Sequence, residues 1–299
     1  MNKEQNIPPA VCIEEDEIDL KELFSTIWKY KKQIIFFVII VNLIVLYKVI
    51  TTPNSYTSSI ILSPQGSKKT IGGGMASIAA MAGINLNSSD SNDPYVLMDS
   101  ILKDKAFLRK IIKEYKLVDK IFVPKNLVYP FGLKLSIKEK IPQNEEEAIF
   151  LTIKKLNKII SLSQDKKSGL ITLSATFYDR FLAKKLTDIY LRKLIDRIKN
   201  NDMKEIKKQI FYYKQELKNA TDVSLKEQLS KSISILTQKV VFSNANEFYI
   251  VKKITDSEVA FIKDKTKPKR ALILIVSFIT SFIIAIFGVF FYEFIKKDD

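Results

Sequence analysis

ALILIVSFITSFIIAIFGVFFY, residues 271–292, carries no formal charge from end to end. As an α-helix rising 1.5 Å per residue it is about 33 Å long, enough to cross a hydrocarbon core of about 30 Å with some tilt. A second stretch, IIFFVIIVNLIVLYKVI at residues 34–50, has Asn42 as its only strongly polar interior residue. At about 26 Å it just reaches across the same core, and Lys48 near its end can extend its ammonium to the headgroups. Buried helices of soluble domains are usually shorter or alternate apolar with polar positions, so both stretches are read as spanning helices. The first is not a cleavable signal. It starts more than 30 residues from Met1, behind Glu14-Glu15-Asp16-Glu17, and no small-residue cleavage site follows it.

Two spans put both chain ends on one side of the membrane and the intervening residues on the other. Lys29, Lys31, Lys32, Lys296 and Lys297 flank the terminal sides; Lys263, Lys265, Lys267, Lys269 and Arg270 flank the loop side of the second span. Charge bias governs short loops, and long domains translocate largely regardless of it. The Trp-Lys-Tyr-Lys-Lys flank of the first span is therefore expected to set the orientation, with both ends cytoplasmic. The expected division is a leader at 1–33, a span at 34–50, an external domain at 51–270, a span at 271–292 and a tail at 293–299.

Composition narrows the chemistry. Lys and Arg total 48 and Asp and Glu 33, a net charge of 48 − 33 = +15. There is no histidine, which removes imidazole as base, shuttle or metal ligand. Cys12 is the single cysteine, and eight glycines leave little for phosphate-cradling loops. Neither a metal site nor a cofactor is expected. Only Arg109, Arg180, Arg192, Arg197 and Arg270 are arginines, against 43 lysines, and Arg is the preferred base reader. No nucleic-acid partner is expected; solvated helix faces, with some attraction to anionic glycan or lipid headgroups, account for the charge.

Residues 1–17 are polar, hold Pro8-Pro9 and are expected to be disordered. Ile18 to Lys32 places Leu20, Leu23, Phe24, Ile27 and Trp28 at helical spacing, an amphipathic lead into the membrane with Trp28 and Tyr30 suited to the interface. Tyr56 to Leu62 has strand character, ended by Ser63-Pro64. Gly72-Gly73-Gly74 through Gly83 does not fit a dinucleotide fingerprint and is read as a small-residue loop with a short helix. Asp93 to Leu117 opens on Asp-Pro and is read as one helix. Residues 121–143, with Pro124, Pro130 and Pro142, are irregular, and Asn144 to Leu156 is helical with Glu145, Glu146 and Glu147 at the favourable dipole end. Three adjacent acids on one helix start cannot flank a sugar bond, so they are no glycosidase pair. Ile159 to Phe177 reads as a hairpin around Asp-Lys-Lys-Ser-Gly.

From Asp179 the pattern is helical to about residue 218. Leu182, Leu186, Tyr190, Leu194 and Ile198 recur at steps of four on a helix of about 60 Å. After Asn219-Ala220-Thr221-Asp222 the stripe resumes at Leu225, Leu229, Ile233, Leu236 and Val240. A helix this long is not expected to bury its stripe within a small domain, so the five residues from Leu182 to Ile198 are candidates for an interface with another copy. Glu247 to Ile254 is strand-like and could pair with Tyr56–Leu62. In the second span Ser277, Ser281 and Ala285, with Gly288 three further on, put small residues on one face, where helix backbones can approach closely. The fold class is α+β: two transmembrane helices flanking a periplasmic α/β domain with a long extended helix.

The order of these parts resembles the Wzz-type chain-length determinants, polysaccharide co-polymerases of bacterial inner membranes. The resemblance is carried by Ile18-Asp19-Leu20-Lys21-Glu22-Leu23 followed by Ile27-Trp28-Lys29, by residues 163–191, and by Lys267-Pro268-Lys269-Arg270 before the second span. Leu20, Glu22, Leu23, Trp28, Pro268, Lys269 and Arg270 are the motif positions. The family usually carries several prolines around the second span; here Pro268 stands alone. Only Glu293 to Asp299 follow that span, so no kinase domain is expected there. The resemblance implies a non-catalytic homo-oligomer that regulates how far an integral-membrane polymerase extends lipid-linked O-antigen or a related surface glycan. A capsule or exopolysaccharide export adaptor, coupled to a transporter, is the alternative with the same architecture; a two-span sensor is disfavoured.

Overall fold

The computed structural model describes residues 20–65, 93–122, 127–135 and 142–298. The expectations for residues 1–17 and for the glycine-rich stretch 72–83 lie outside the described residues. The chain forms two units: Met1–Thr51 with Lys269–Asp299, and Thr52–Pro268.

In the first unit, α1 (Leu20–Lys29) leads through a turn at Tyr30 into α2 (Lys31–Thr51), and α9 (Arg270–Asp298) closes the chain. The helices α2 and α9 are long and apolar enough to cross a membrane.

The second unit is a mixed helix-and-sheet domain. Its sheet has strand order β4-β5-β1-β6, from β1 (Tyr56–Pro64), β4 (Ile160–Gln164), β5 (Ile171–Phe177) and β6 (Val251–Lys253), with every neighbouring pair antiparallel. Tyr56 faces Phe177, Ile60 faces Leu173 and Leu62 faces Ile171. Alternation decides the faces: Tyr56, Ser58, Ile60 and Leu62 are buried together with Ile171, Leu173, Ala175 and Phe177. Thr57 and Thr176 stand on the other face with their hydroxyls 2.7 Å apart. β1 runs two residues further than its apolar pattern, and Pro64 pairs with Val251. The β4–β5 turn is closed by Asp165, whose side chain accepts from the Lys167 and Ser168 N–H groups. These bonds hold its carboxyl below the usual carboxylate range, and Gly169 supplies the positive φ that the turn requires.

The stretch from 93 to 117 is broken rather than one helix, into α3 (Pro94–Lys103) and α4 (Lys105–Tyr115), and α5 (Leu117–Phe122) starts at its end. The breaks have local causes. Asp104 adopts an extended conformation and its carboxylate caps the Ala106 N–H, while Lys116 takes the left-handed region. Residues 127–135 form a small hairpin of β2 (Leu127–Val128) and β3 (Lys134–Leu135) around a 3-10 turn at Pro130–Gly132. In α6 (Glu145–Ile159), Asn144 caps the Glu146 N–H, and Glu145 and Glu146 pair with Lys113 and Arg109 of α4.

Helix α7 (Arg180–Asn219), capped by Asp179, runs for 40 residues, about 60 Å. Its first half lies on the buried face of the sheet. Leu186, Tyr190 and Leu194 are 0% exposed and Ile198 3%, all in one core with Ile60, Leu173 and Leu156; Leu182 packs at its margin. The expected subunit interface at these residues is therefore corrected: the stripe is covered by the chain's own sheet and helices. Beyond Ile198 the helix is covered by α8 (Val223–Ala245), which folds back antiparallel from an Asp222 cap. A second cluster there joins Met203, Ile206, Leu236 and Tyr249.

Two substitutions separate packing from polarity in this core. Leu186→Ala should lower stability by about 2–5 kcal/mol through the cavity it leaves, read as a fall in the thermal midpoint of the detergent-solubilised protein. The Tyr190 hydroxyl is buried without a protein partner among the described residues, and burial pushes its pKa up. Tyr190→Phe should leave the midpoint unchanged or raise it, because it removes a desolvated group that gains no bond; a fall comparable to that of Leu186→Ala would contradict this.

Candidate functional site

Helices α2 and α9 pair antiparallel along a seam that repeats every fourth residue. On α9 it runs through Ser281, Ala285, Val289 and Glu293; opposite, it runs from Tyr30 in the turn before α2 through Ile34, Val38 and Asn42 of α2. Tyr30, Ile34, Val38, Ala285 and Val289 form one buried cluster, with Ile27 and Ile286 at its edge. Side chains four apart stack on one helix face, and small ones at Ser281 and Ala285 let the backbones approach.

Polar ties fasten the seam at three levels. At one end the Tyr30 hydroxyl donates to Glu293 Oε2 at 2.6 Å and Lys29 Nζ lies 2.9 Å from Oε1, with Tyr292 edge-on to Tyr30. The Glu293 carboxylate raises the Lys29 ammonium above its ordinary value. Midway, the Asn42 amide donates to the Val38 carbonyl at 2.8 Å and to Ser281 Oγ at 3.1 Å. At the other end Arg270 Nε donates to the Val49 carbonyl at 3.3 Å.

The small-residue positions fall out unequally. Ser281 and Ala285 are on the seam and buried. Ser277 is half-buried and lines a groove of about 480 Å³ bounded by Phe37, Val41 and Val45 of α2 and by Leu272, Val276 and Thr280 of α9. Gly288 is exposed, and a Cβ there would meet nothing within 4 Å. Its place on the packing face is taken by Val289, four rather than three residues beyond Ala285. Of the motif positions, Leu20, Glu22 and Leu23 lie on α1. Trp28 is exposed with Lys31 Nζ 4.3 Å from its ring centroid. Pro268, Lys269 and Arg270 lead into α9, with Lys267-Pro268 in the cis form.

Sequence reading missed Glu293 as the partner of Tyr30 and Lys29, although continuing the four-residue step from Ser281 arrives at it. It noted Asn42 as the polar exception without finding Ser281. Among the described residues no group of three or more His, Cys, Asp or Glu is placed to hold a metal ion.

The fold and site define a class: a chain with two paired candidate membrane helices that bracket a mixed α/β domain. Residues 16–115 match the family model described as Wzz, chain length determinant protein. The resemblance read from the leader motif is thereby shown over that segment, which runs through α1, α2, β1, α3 and α4. Among solved structures the chain is similar to a full-length bacterial polysaccharide co-polymerase, at 11% identity and a TM-score of 0.37, over 93% of this chain and 99% of that one. At that TM-score the likeness assigns no residue a role. No curated protein matches.

The seam makes a direct prediction. With Cys12→Ser as background, the pair Val38→Cys and Ala285→Cys should cross-link within one chain in native membranes. Adding Ser281→Leu should reduce that cross-link several-fold, because an oversized side chain at a close-packed position costs about 1–3 kcal/mol. Undiminished cross-linking would show that Ser281 does not sit between the helices.

Proposed function

We propose that this protein regulates the chain length of a surface polysaccharide in a bacterial inner membrane, as a non-catalytic homo-oligomer beside an integral-membrane polymerase that elongates a lipid-linked glycan. The observation that carries the reading is the antiparallel pairing of α2 and α9 in a chain whose residues 16–115 match the chain-length determinants. Antiparallel spans return both ends of the chain to one side and leave the domain of residues 52–268 on the other. The assigned orientation puts that domain in the periplasm, where the growing glycan is found. O-antigen is the favoured product class.

Oligomerisation is assigned to surfaces other than the Leu186–Ile198 stripe. The α7–α8 hairpin keeps Phe211, Tyr212, Val241 and Phe242 exposed, more aromatic surface than a solitary helical hairpin ordinarily shows to water.

Two measurements test the reading. Alkaline phosphatase joined after Gln143 should be active and joined after Asp299 inactive; the opposite pattern would reverse the topology and remove the function with it. Deletion of the gene should turn a clustered distribution of surface glycan lengths into a broad one while polymer continues to be made. Complete loss of surface polymer would point instead to an export component.

A further inference from the structure

Two apolar tips of the domain are held beside the residues that follow the first span. The β2–β3 hairpin presents Phe131, 91% exposed and at φ +62°, with Leu133 and Leu135 also exposed. A non-glycine residue in that region carries backbone strain, and here the strain accompanies a ring turned outward into solvent. The hairpin is fastened close to the span by a backbone bond, the Asn54 N–H donating to the Val128 carbonyl at 2.6 Å. The second tip is Phe261 and Ile262, 64% and 41% exposed. The Tyr56 hydroxyl donates to the Ile262 carbonyl at 3.2 Å, and Arg180 Nη1 to the Ala260 carbonyl at 3.5 Å.

Chain length limits where these tips can be. An extended chain covers at most about 3.6 Å per residue. Asn54 is three residues past Thr51, the last of α2, so it lies within about 11 Å of the end of that helix. The step across the bonded pair from Asn54 to Val128 adds about 5 Å, and Phe131, three residues from Val128, at most about another 11 Å. Tyr56, which holds Ile262, is five residues past Thr51. On the return side Lys267, bonded to Ser55, is three residues before Arg270, the first residue of α9. Exposed lysines surround both tips: Lys134 at the first, Lys263, Lys265 and Lys267 at the second, with Asp264 among them.

We infer that these tips form a lipid-binding foot. Phe131, Leu133, Phe261 and Ile262 enter the interfacial layer of the leaflet from which α2 and α9 emerge, and the neighbouring lysines meet anionic headgroups. The domain is then docked on the bilayer instead of hanging from two short linkers. The inference rests on the reading of α2 and α9 as membrane spans.

Single tryptophans report it in the full-length protein. In a Trp28→Phe background, tryptophan is placed at Phe131 or at Phe261, and the protein is reconstituted into vesicles of phosphatidylethanolamine with phosphatidylglycerol. Both positions should emit to the blue, lose intensity with lipids brominated near the headgroup end of their chains, and resist aqueous acrylamide. Tryptophan at Phe278, within α9, should be quenched by lipids brominated deeper; failure there would sink the spanning assignment itself. If Phe278→Trp reports lipid while the two tips report water, the foot alone is overturned. Tips shielded from both quenchers would be covered by protein, which also overturns it. Replacing phosphatidylglycerol with phosphatidylcholine should weaken the quenching at both tips; unchanged quenching would remove the lysines from the proposal.

Discussion

The constraint on which this architecture depends is the closure between Ser55 and Lys267. The Ser55 N–H donates to the Lys267 carbonyl and the Thr266 N–H returns to the Ser55 carbonyl, both at 2.9 Å. These few atoms bring together two points of the chain that are far apart in sequence, each within four residues of an apolar helix. β1 starts at the next residue, and it is the strand that carries β5 on one edge and β6 on the other. A bridge at this position turns a long excursion into a closed domain.

The length of that sheet explains what became of the long helix. β1 and β5 pair over seven residues, and seven residues of strand extend about 23 Å. A helix needs about 15 residues to run the same distance, which is the interval from Ala183 to Ile198, where α7 is buried against the core. The remaining residues of α7 have no sheet to lie on. They can remain helical and partly dry only because α8 folds back along them and supplies Leu236. One helix is thus covered by two different partners, and the boundary between them is set by the sheet.

Much of this was legible before the structure. Absence of charge marked two long apolar helices, Asp165 to Gly169 marked the turn, and the period-two pattern from Ile171 to Phe177 marked a strand with one buried face. What covers an apolar stripe was not legible, because spacing at every fourth residue reports that a face is apolar without reporting its partner. Leu186 and Leu194 have the same pattern whether a sheet or another copy lies on them. Gly288 is similar in kind: it was grouped with Ser281 and Ala285 by size, whereas the α2–α9 seam is set by step length and selects Val289. The break at Asp104 carried a readable signal, an acid able to cap the following turn, and the surrounding apolar spacing concealed it.

Register between α2 and α9 follows from the placement of their polar ties. Tyr30, Asn42 and Val49 lie at three levels on the α1–α2 side, and each meets a different part of α9: Glu293, Ser281 and Arg270. The rise from Asn42 to Val49 is about 10 Å along the helix, so the ties act well apart. A single interhelical hydrogen bond in a bilayer is worth only about 0.6–2 kcal/mol, too little to hold two helices by itself. Its contribution here is to select among packings that lipid-like side chains would tolerate equally. Sliding α9 by one turn, about 5.4 Å, would separate all three ties at once while leaving the aliphatic contacts replaceable. The four-residue step of small and polar side chains therefore specifies register, and the aliphatic surround supplies the bulk of the contact.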